Sequence, residues 1–424
     1  METAGVAKET PVPMFFGLDW SFFAASSIIF AGSFLVNVLN YVFTLLMSRA
    51  LGVEEFGEVA AILSLFLIVS VPGAALTMLM SREAAARALS GKASVRNLFL
   101  FLERNVTLFA LSFWILFLGA TPFLSNLFAI PLTPFLLFSF IVPITLMGAL
   151  QTGTLQGLQE FLPLSKQGVL GTLVKLTAAL ALVALGLSVS GVVLALVLAS
   201  VVGWLYGRLV TRRILEIEKG HETPHKEVIH ALLPSIVVTT FLLALLSNID
   251  VLLAKHYLPG EIAGHYGALS TAGKMLLYAA GAFVTVLLPL ASEAHERGKG
   301  GARVLSLSLG IIAAGSLLAW GLFSFYPELV ISLLFGERYL DVAPYLGFFT
   351  IGVAAVALSL ALINYFVAVR NTSFLYLLAF GIALEVGLVV RGHENLATVV
   401  QMIVTGSVIL CILMVSNFLF LPKR

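Results

Sequence analysis

Four ionisable side chains stand inside apolar runs long enough to cross a membrane: Lys175, Asp250, Lys274 and Glu385. A charge in hydrocarbon is expensive, and by default it faces a cavity, a partner or a transport path. Lysines at such depth suit an anionic substrate, whereas carboxylates can take a proton or hold a cation. At the helical rise, Lys175 falls roughly 12 Å from the inner face, Lys274 roughly 15 Å from the outer face and Glu385 roughly 16 Å from the inner face. Asp250 stands nearer the outer face, in the run Ser247-Asn248-Ile249-Asp250. The competing reading is a Lys–Glu pair or a snorkelling lysine that only fixes helix packing. Two arginines, in Ser48-Arg49-Ala50-Leu51-Gly52 and Ser81-Arg82-Glu83, lie at opposite ends of the first predicted helical hairpin. A guanidinium fork matches phosphate geometry, although interfacial anchoring explains Arg82 equally well. The candidate substrate-binding cations are therefore Arg49, Arg82, Lys175 and Lys274, and the candidate ion-coupling acids are Asp250 and Glu385.

Other motifs carry less. His221-Glu222-Thr223-Pro224-His225 matches a zinc-binding pattern in letters, but that chemistry needs both histidines on one helical face and Pro224 opposes the helix. No Walker A sequence, nucleotide-binding glycine loop or Cys/His cluster occurs, so ATP-driven transport within the chain is unsupported and no metal or cofactor is expected. The single cysteine, Cys411, excludes an intramolecular disulfide. Two glycosylation patterns, at Asn105 and Asn371, fall in or on the predicted cytoplasmic side and are discounted.

The elements that must position these groups are membrane spans. Of the 424 residues 60% are apolar and only 11% charged, against about 25% charged in soluble chains. With a net charge of +2, there is no basic field for nucleic acid. Twelve runs suit a bilayer core of about 30 Å: 20–47, 57–80, 98–120, 134–156, 167–187, 191–210, 231–256, 264–290, 304–322, 342–369, 374–390 and 396–420. The first is too long for a signal-peptide core and reads as a retained span, which leaves the tail 1–19 in the cytoplasm. With both termini inside, 18 Lys and Arg fall on inner segments and four (Arg49, Lys255, Arg338, Arg391) on outer ones. That is the positive-inside asymmetry expected of a multi-pass protein of the cell membrane. Gly153 and Gly157, and Gly203 and Gly207, have the spacing of close helix packing; Pro72, Pro143, Pro234 and Pro289 mark expected kinks or hinges.

Shifted by 207 residues, the chain matches itself without gaps. Leu51, Glu54, Gly57 and Ala61 fall on Leu258, Glu261, Gly264 and Ala268; Gly91, Lys92 and Arg96 fall on Gly298, Lys299 and Arg303; Ser125, Leu127 and Phe128 fall on Ser332, Leu334 and Phe335. Six spans separate the copies, so equivalent loops share a side and the repeats are parallel. The expected architecture is an all-α integral membrane protein with twelve transmembrane helices in two parallel six-helix repeats around a central cavity. Its divisions are a tail 1–19, an N-terminal lobe 20–210, a cytoplasmic linker 211–230 and a C-terminal lobe 231–424. Such a plan suits alternating access, the cavity opening to one side and then the other.

At this point a family likeness is legible. The opening hairpin, Ser48-Arg49-Ala50-Leu51-Gly52 followed by Glu55-Phe56-Gly57, resembles that of polysaccharide transporters and O-antigen flippases of the multidrug/oligosaccharidyl-lipid/polysaccharide (MOP) exporter superfamily. Asn248-Ile249-Asp250 with Gly264-His265-Tyr266 and Lys274, Leu155-Gln156-Gly157-Leu158-Gln159, and Leu334-Phe335-Gly336 with Tyr339 fit the same pattern. The resemblance implies a non-enzymatic flippase moving a polyprenyl-pyrophosphate-linked oligosaccharide to the outer leaflet for surface polysaccharide assembly. Its expected partners are the lipid-linked oligosaccharide, membrane lipids, and a polysaccharide polymerase and glycosyltransferases; a monomer is expected, since the repeat already supplies two lobes. Coupling to a proton or sodium gradient is the expected drive. The alternatives are a cation-coupled multidrug antiporter of the same superfamily and a membrane-embedded polysaccharide assembly enzyme or scaffold. Mid-membrane lysines favour anionic cargo over the first, and short, carboxylate-poor outer loops disfavour the second.

Overall fold

In a computed structural model the structure describes residues 20–89, 91–216, 227–296, 302–369 and 371–420, leaving aside the side chains of 20–26, 227–236, 279–296, 302–304 and 368. The tail 1–19, the His221–His225 segment of the predicted linker, and Lys8, Lys219, Lys226, Arg297, Lys299, Arg370, Lys423 and Arg424 lie outside the described residues. Described residues form fifteen α-helices and one 3-10 turn, with no strand. Helix is the form in which each apolar segment satisfies its own backbone groups in lipid.

Eleven segments among the described residues are long and apolar enough to cross a membrane. The remaining predicted span, 264–290, falls on α10 (Gly260–Glu296). The helices outrun the apolar runs because their polar ends continue past the bilayer core, as in α4 (Lys92–Phe128) and α8 (Ser188–Leu215). Two predicted spans are each a pair of helices. α2 (Val53–Val69) meets α3 (Val71–Ala88) at Ser70, and α5 (Leu132–Ser139) meets α6 (Ile141–Gly157) at Phe140. Pro72 and Pro143 follow these joints and have no N–H for the carbonyls of Ile68 and Ser139. Pro234 and Pro289, by contrast, lie within the unbroken helices α9 (Glu227–Tyr257) and α10. Hydropathy did not reveal the short α12 (Pro327–Leu334) and the 3-10 turn Glu337–Val342, which lie between α11 (Ala302–Phe325) and α13 (Ala343–Ala368).

The internal repeat is visible in helix boundaries. α1 (Trp20–Ala50) and α9 begin and end 207 residues apart, and α2 with α3 covers the stretch equivalent to α10. The turns after α4 and α12 repeat as well. Ala129 (φ 49°) and Gly336 (φ 97°), again 207 apart, both have positive φ, Ala129 in the left-handed helical conformation that ends a helix and Gly336 in an extended one open to glycine.

Two hydrophobic cores result. One gathers Phe43, Met47, Phe99, Phe135 and Phe138 from the first repeat, the other Tyr266, Phe335, Leu346, Phe366 and Leu378 from the second. Each borrows across the divide: Phe56 and Ala60 of α2 pack in the second core and Leu252 of α9 in the first. Within the first lobe α3 and α6 approach closely, since a Cβ on Gly153 or Gly157 would lie 2.6 Å from the Thr77 oxygen or 2.3 Å from that of Ser81. A Cβ on Gly207 would meet Gln167, whereas Gly203 faces open space.

Candidate functional site

Asp250 lies near the C-terminal end of α9 and is 4% exposed. Both its oxygens are occupied by donors from one face of α10. Lys274 Nζ donates to Oδ1 at 2.9 Å, while Tyr266 Oη and Ser270 Oγ donate to Oδ2 at 3.0 and 2.9 Å. Residues 266, 270 and 274 recur every four positions and so form one helical stripe, a spacing from which Tyr266 and Ser270 were legible as partners. Glu385, on α14 (Phe374–Arg391), is 2% exposed. It borders with Asp250, Lys274, Ser247 and Ser407 a cavity of about 30 Å³, room for a water molecule or two. This cluster lies inside the second lobe and joins three of the predicted residues: Lys274, Asp250 and Glu385.

Lys175 stands apart from them on α7 (Phe161–Ala184). Its ammonium donates to Asn40 Oδ1 of α1 and sits 4.3 Å from the centre of the Phe43 ring. Both partners belong to its own lobe.

The two arginines lie at opposite ends of the α2–α3 segment, Arg49 just before it and Arg82 near the end of α3. At the end carrying the α1–α2 and α9–α10 turns, the lobes touch. α2 and α10 cross at Gly57 and Gly264, equivalent positions of the repeat, so closely that a Cβ on Gly57 would lie 2.7 Å from the Gly264 nitrogen. Phe56 packs against Phe335 and Tyr339 with ring centres 6.2 and 5.8 Å apart, and Tyr339 Oη donates to the Ser48 carbonyl at 3.0 Å. Here Arg49 donates across the divide to the Leu333 carbonyl of α12. Lys255 and Glu58 are also buried at this end, one from each lobe. The motifs that carried the family likeness around Arg49, Phe56, Gly57, Gly264 and Tyr339 therefore converge on the closed end.

Toward the opposite end, a cavity of about 460 Å³ opens beside α3 and α6, lined by Arg82 with Thr77, Ser81, Gln156 and apolar neighbours. Of the four predicted substrate cations, Arg82 is the one that faces this larger space. Sequence reasoning passed over Thr77 and Ser81; they share the Arg82 face of α3 at helical spacing. Among the described residues no cluster of His, Cys, Asp and Glu could hold a metal ion.

Two lobes of repeated helices that meet at the α2–α10 crossing are also the fold of solved transporters and flippases of the MOP superfamily. The chain is similar to an inward-facing multidrug resistance MATE family transporter of that superfamily, with a TM-score of 0.72 and 15% identity over 91% of this chain and 94% of the other. It is similar also to the lipid II flippase MurJ in an inward closed conformation, with a TM-score of 0.71 and 14% identity over 93% and 88%. Against an outward-facing MATE family transporter the TM-score is 0.62, at 17% identity over 95% of both chains. The family described as Polysaccharide biosynthesis protein matches residues 23–295, more than half the chain. The chain belongs to that family and is a multi-pass membrane protein; no curated protein matches it in sequence.

Proposed function

We propose that the protein is a flippase that moves a polyprenyl-pyrophosphate-linked oligosaccharide from the inner to the outer leaflet of the cell membrane by alternating access, with both termini cytoplasmic. The observation that carries this reading is the pairing of a tight contact between lobes at Gly57 and Gly264 with a cavity of about 460 Å³ on α3 and α6 beside Arg82. Charge bias puts the Arg82 cavity on the cytoplasmic side, which is where a lipid-linked sugar is assembled. Arg82 offers paired donors to a pyrophosphate, and Thr77, Ser81 and Gln156 offer hydrogen bonds to sugar hydroxyls. The polyprenyl tail stays in lipid between the lobes. Arg49, Lys175 and Lys274 would reach substrate only after their present bonds break.

The buried cluster suits coupling to protons rather than sodium. Lys274 already places a cation on Asp250, whose other oxygen is filled by two hydroxyls. Glu385, bordering a water-sized cavity, is then the group that takes up and releases the coupling proton. Handover of product to a polysaccharide polymerase completes the reading.

The test is leaflet-to-leaflet movement of a fluorescent polyprenyl-pyrophosphate oligosaccharide in proteoliposomes under a pH or a sodium gradient. Movement driven by the pH gradient and lost in Arg82→Ala supports the proposal. Exchange of a cationic dye, with no movement of the lipid-linked sugar above empty liposomes, replaces it with the multidrug antiporter.

A further inference from the structure

The closed end contains a symmetric pair of contacts between the lobes. Arg49 and His256 occupy equivalent positions of the repeat, at the ends of α1 and α9. Each crosses to the other lobe. Arg49 Nη2 donates to the Leu333 carbonyl of α12, and His256 Nδ1 lies 2.6 Å from the Leu127 carbonyl of α4. A carbonyl only accepts, so Nδ1 carries the hydrogen. The position equivalent to Leu127 is Leu334, one residue beyond the carbonyl that Arg49 reaches.

Both acceptors are helix C-terminal carbonyls. The last four carbonyls of a helix have no donor within it, and Leu127 is further deprived because the residue four ahead, Pro131, has no N–H. Such carbonyls carry the negative end of the helix dipole and favour a cation. The chain therefore places a basic side chain from one lobe on the exposed carbonyls of the other, twice, on either side of the Gly57–Gly264 crossing.

We propose that Arg49 and His256 are paired latches that hold the lobes together at the α1–α2 end and must let go together when the lobes rock apart. The latches are unequal. Arg49 is always charged, whereas His256 can serve as a neutral donor, so the Arg49 latch carries more of the closed state's advantage. The proposal rests on the alternating-access reading.

The test uses the full chain with Ala60→Cys in a Cys411→Ser background. Ala60 faces Gly267 of α10 just inside the crossing and is 9% exposed. A membrane-impermeant maleimide applied from the α1–α2 side reads how often that end opens. Arg49→Ala is expected to raise the labelling rate about threefold to fivefold and His256→Ala about twofold. Arg49→Lys should label at nearly the native rate, and His256→Arg, which adds a permanent charge, should label more slowly. Gly264→Leu forces a side chain into the crossing and serves as a wedge. If the wedge speeds labelling while the Arg49→Ala/His256→Ala double variant labels at the native rate, the latches are refuted and alternating access stands. If the wedge also changes nothing, alternating access at this end is refuted, and the latches with it. His256→Arg labelling faster than native would likewise overturn the proposal, in a variant that keeps a donor at this position and adds charge.

Discussion

The two lobes repeat each other's helix boundaries yet differ in mid-membrane charge. Asn40 and Phe43 of α1 are equivalent to Ser247 and Asp250 of α9. In the first lobe they receive a lone cation, Lys175, on an amide oxygen and an aromatic face. In the second, Asp250 receives Lys274 and two hydroxyls, with a second acid, Glu385, on the same small cavity. Duplication kept the backbone plan and let the polar centres diverge. One lobe holds a cation by weak neutral partners, and the other holds an ion pair with a carboxyl beside it.

The largest effect that would test this contrast comes from Asp250→Ala. It removes the direct partner of buried Lys274 and leaves only Glu385 across the small cavity, which is expected to destabilise the protein by about 3 kcal/mol. Thermal unfolding in detergent should show a large drop in Tm, mostly recovered in Asp250→Leu/Lys274→Met, where both charges are gone. If the double variant is as unstable as the single one, packing rather than charge holds the cluster.

Next is Glu385→Gln, which keeps the shape and removes the titration. The proton-coupled reading expects the pH-gradient dependence of transport to fall about tenfold while the fold is retained. Unchanged gradient dependence would move coupling out of the second lobe. Lys175→Met follows, expected to lose about 1–2 kcal/mol from one hydrogen bond and one cation–π contact. A loss as large as that of Asp250→Ala would erase the distinction between lobes. Smallest are Gly148→Ala in α6 and Gly310→Ala in α11, one per lobe, each with nothing within 4 Å of the new methyl. Both are expected to raise stability by at most about 1 kcal/mol, measured as Tm, because away from the polar centres the lobes should respond alike.

Much of this was legible before the helices were assembled. The hydropathy runs located the spans, and the 207-residue offset, seen first in Gly57/Gly264 and Phe128/Phe335, anticipated equivalent helices. The depth of Asp250, Lys274 and Glu385 marked them as costly. Their pairing was open, because a helix's hydropathy places residues along the membrane normal without saying which neighbour each face meets. In lipid this ambiguity is severe, since apolar faces against lipid and against protein look alike. Tyr266 and Ser270 were recoverable from their spacing to Lys274, whereas the reach of Arg49 to Leu333 crosses 284 residues and has no local trace.

The sequence by itself determined that this is a membrane protein with a duplicated helical plan, because span length, charge bias and a constant offset are properties of the chain in one dimension. Only the tertiary structure decided which cations are committed and which one opens on the larger cavity. Lys274 belongs to Asp250, Lys175 to Asn40, Arg49 to a carbonyl of the opposite lobe, and Arg82 lines the larger cavity. The physical reason is that a buried charge takes its function from the nearest opposite charge or dipole, and that distance exists only once the helices are packed together.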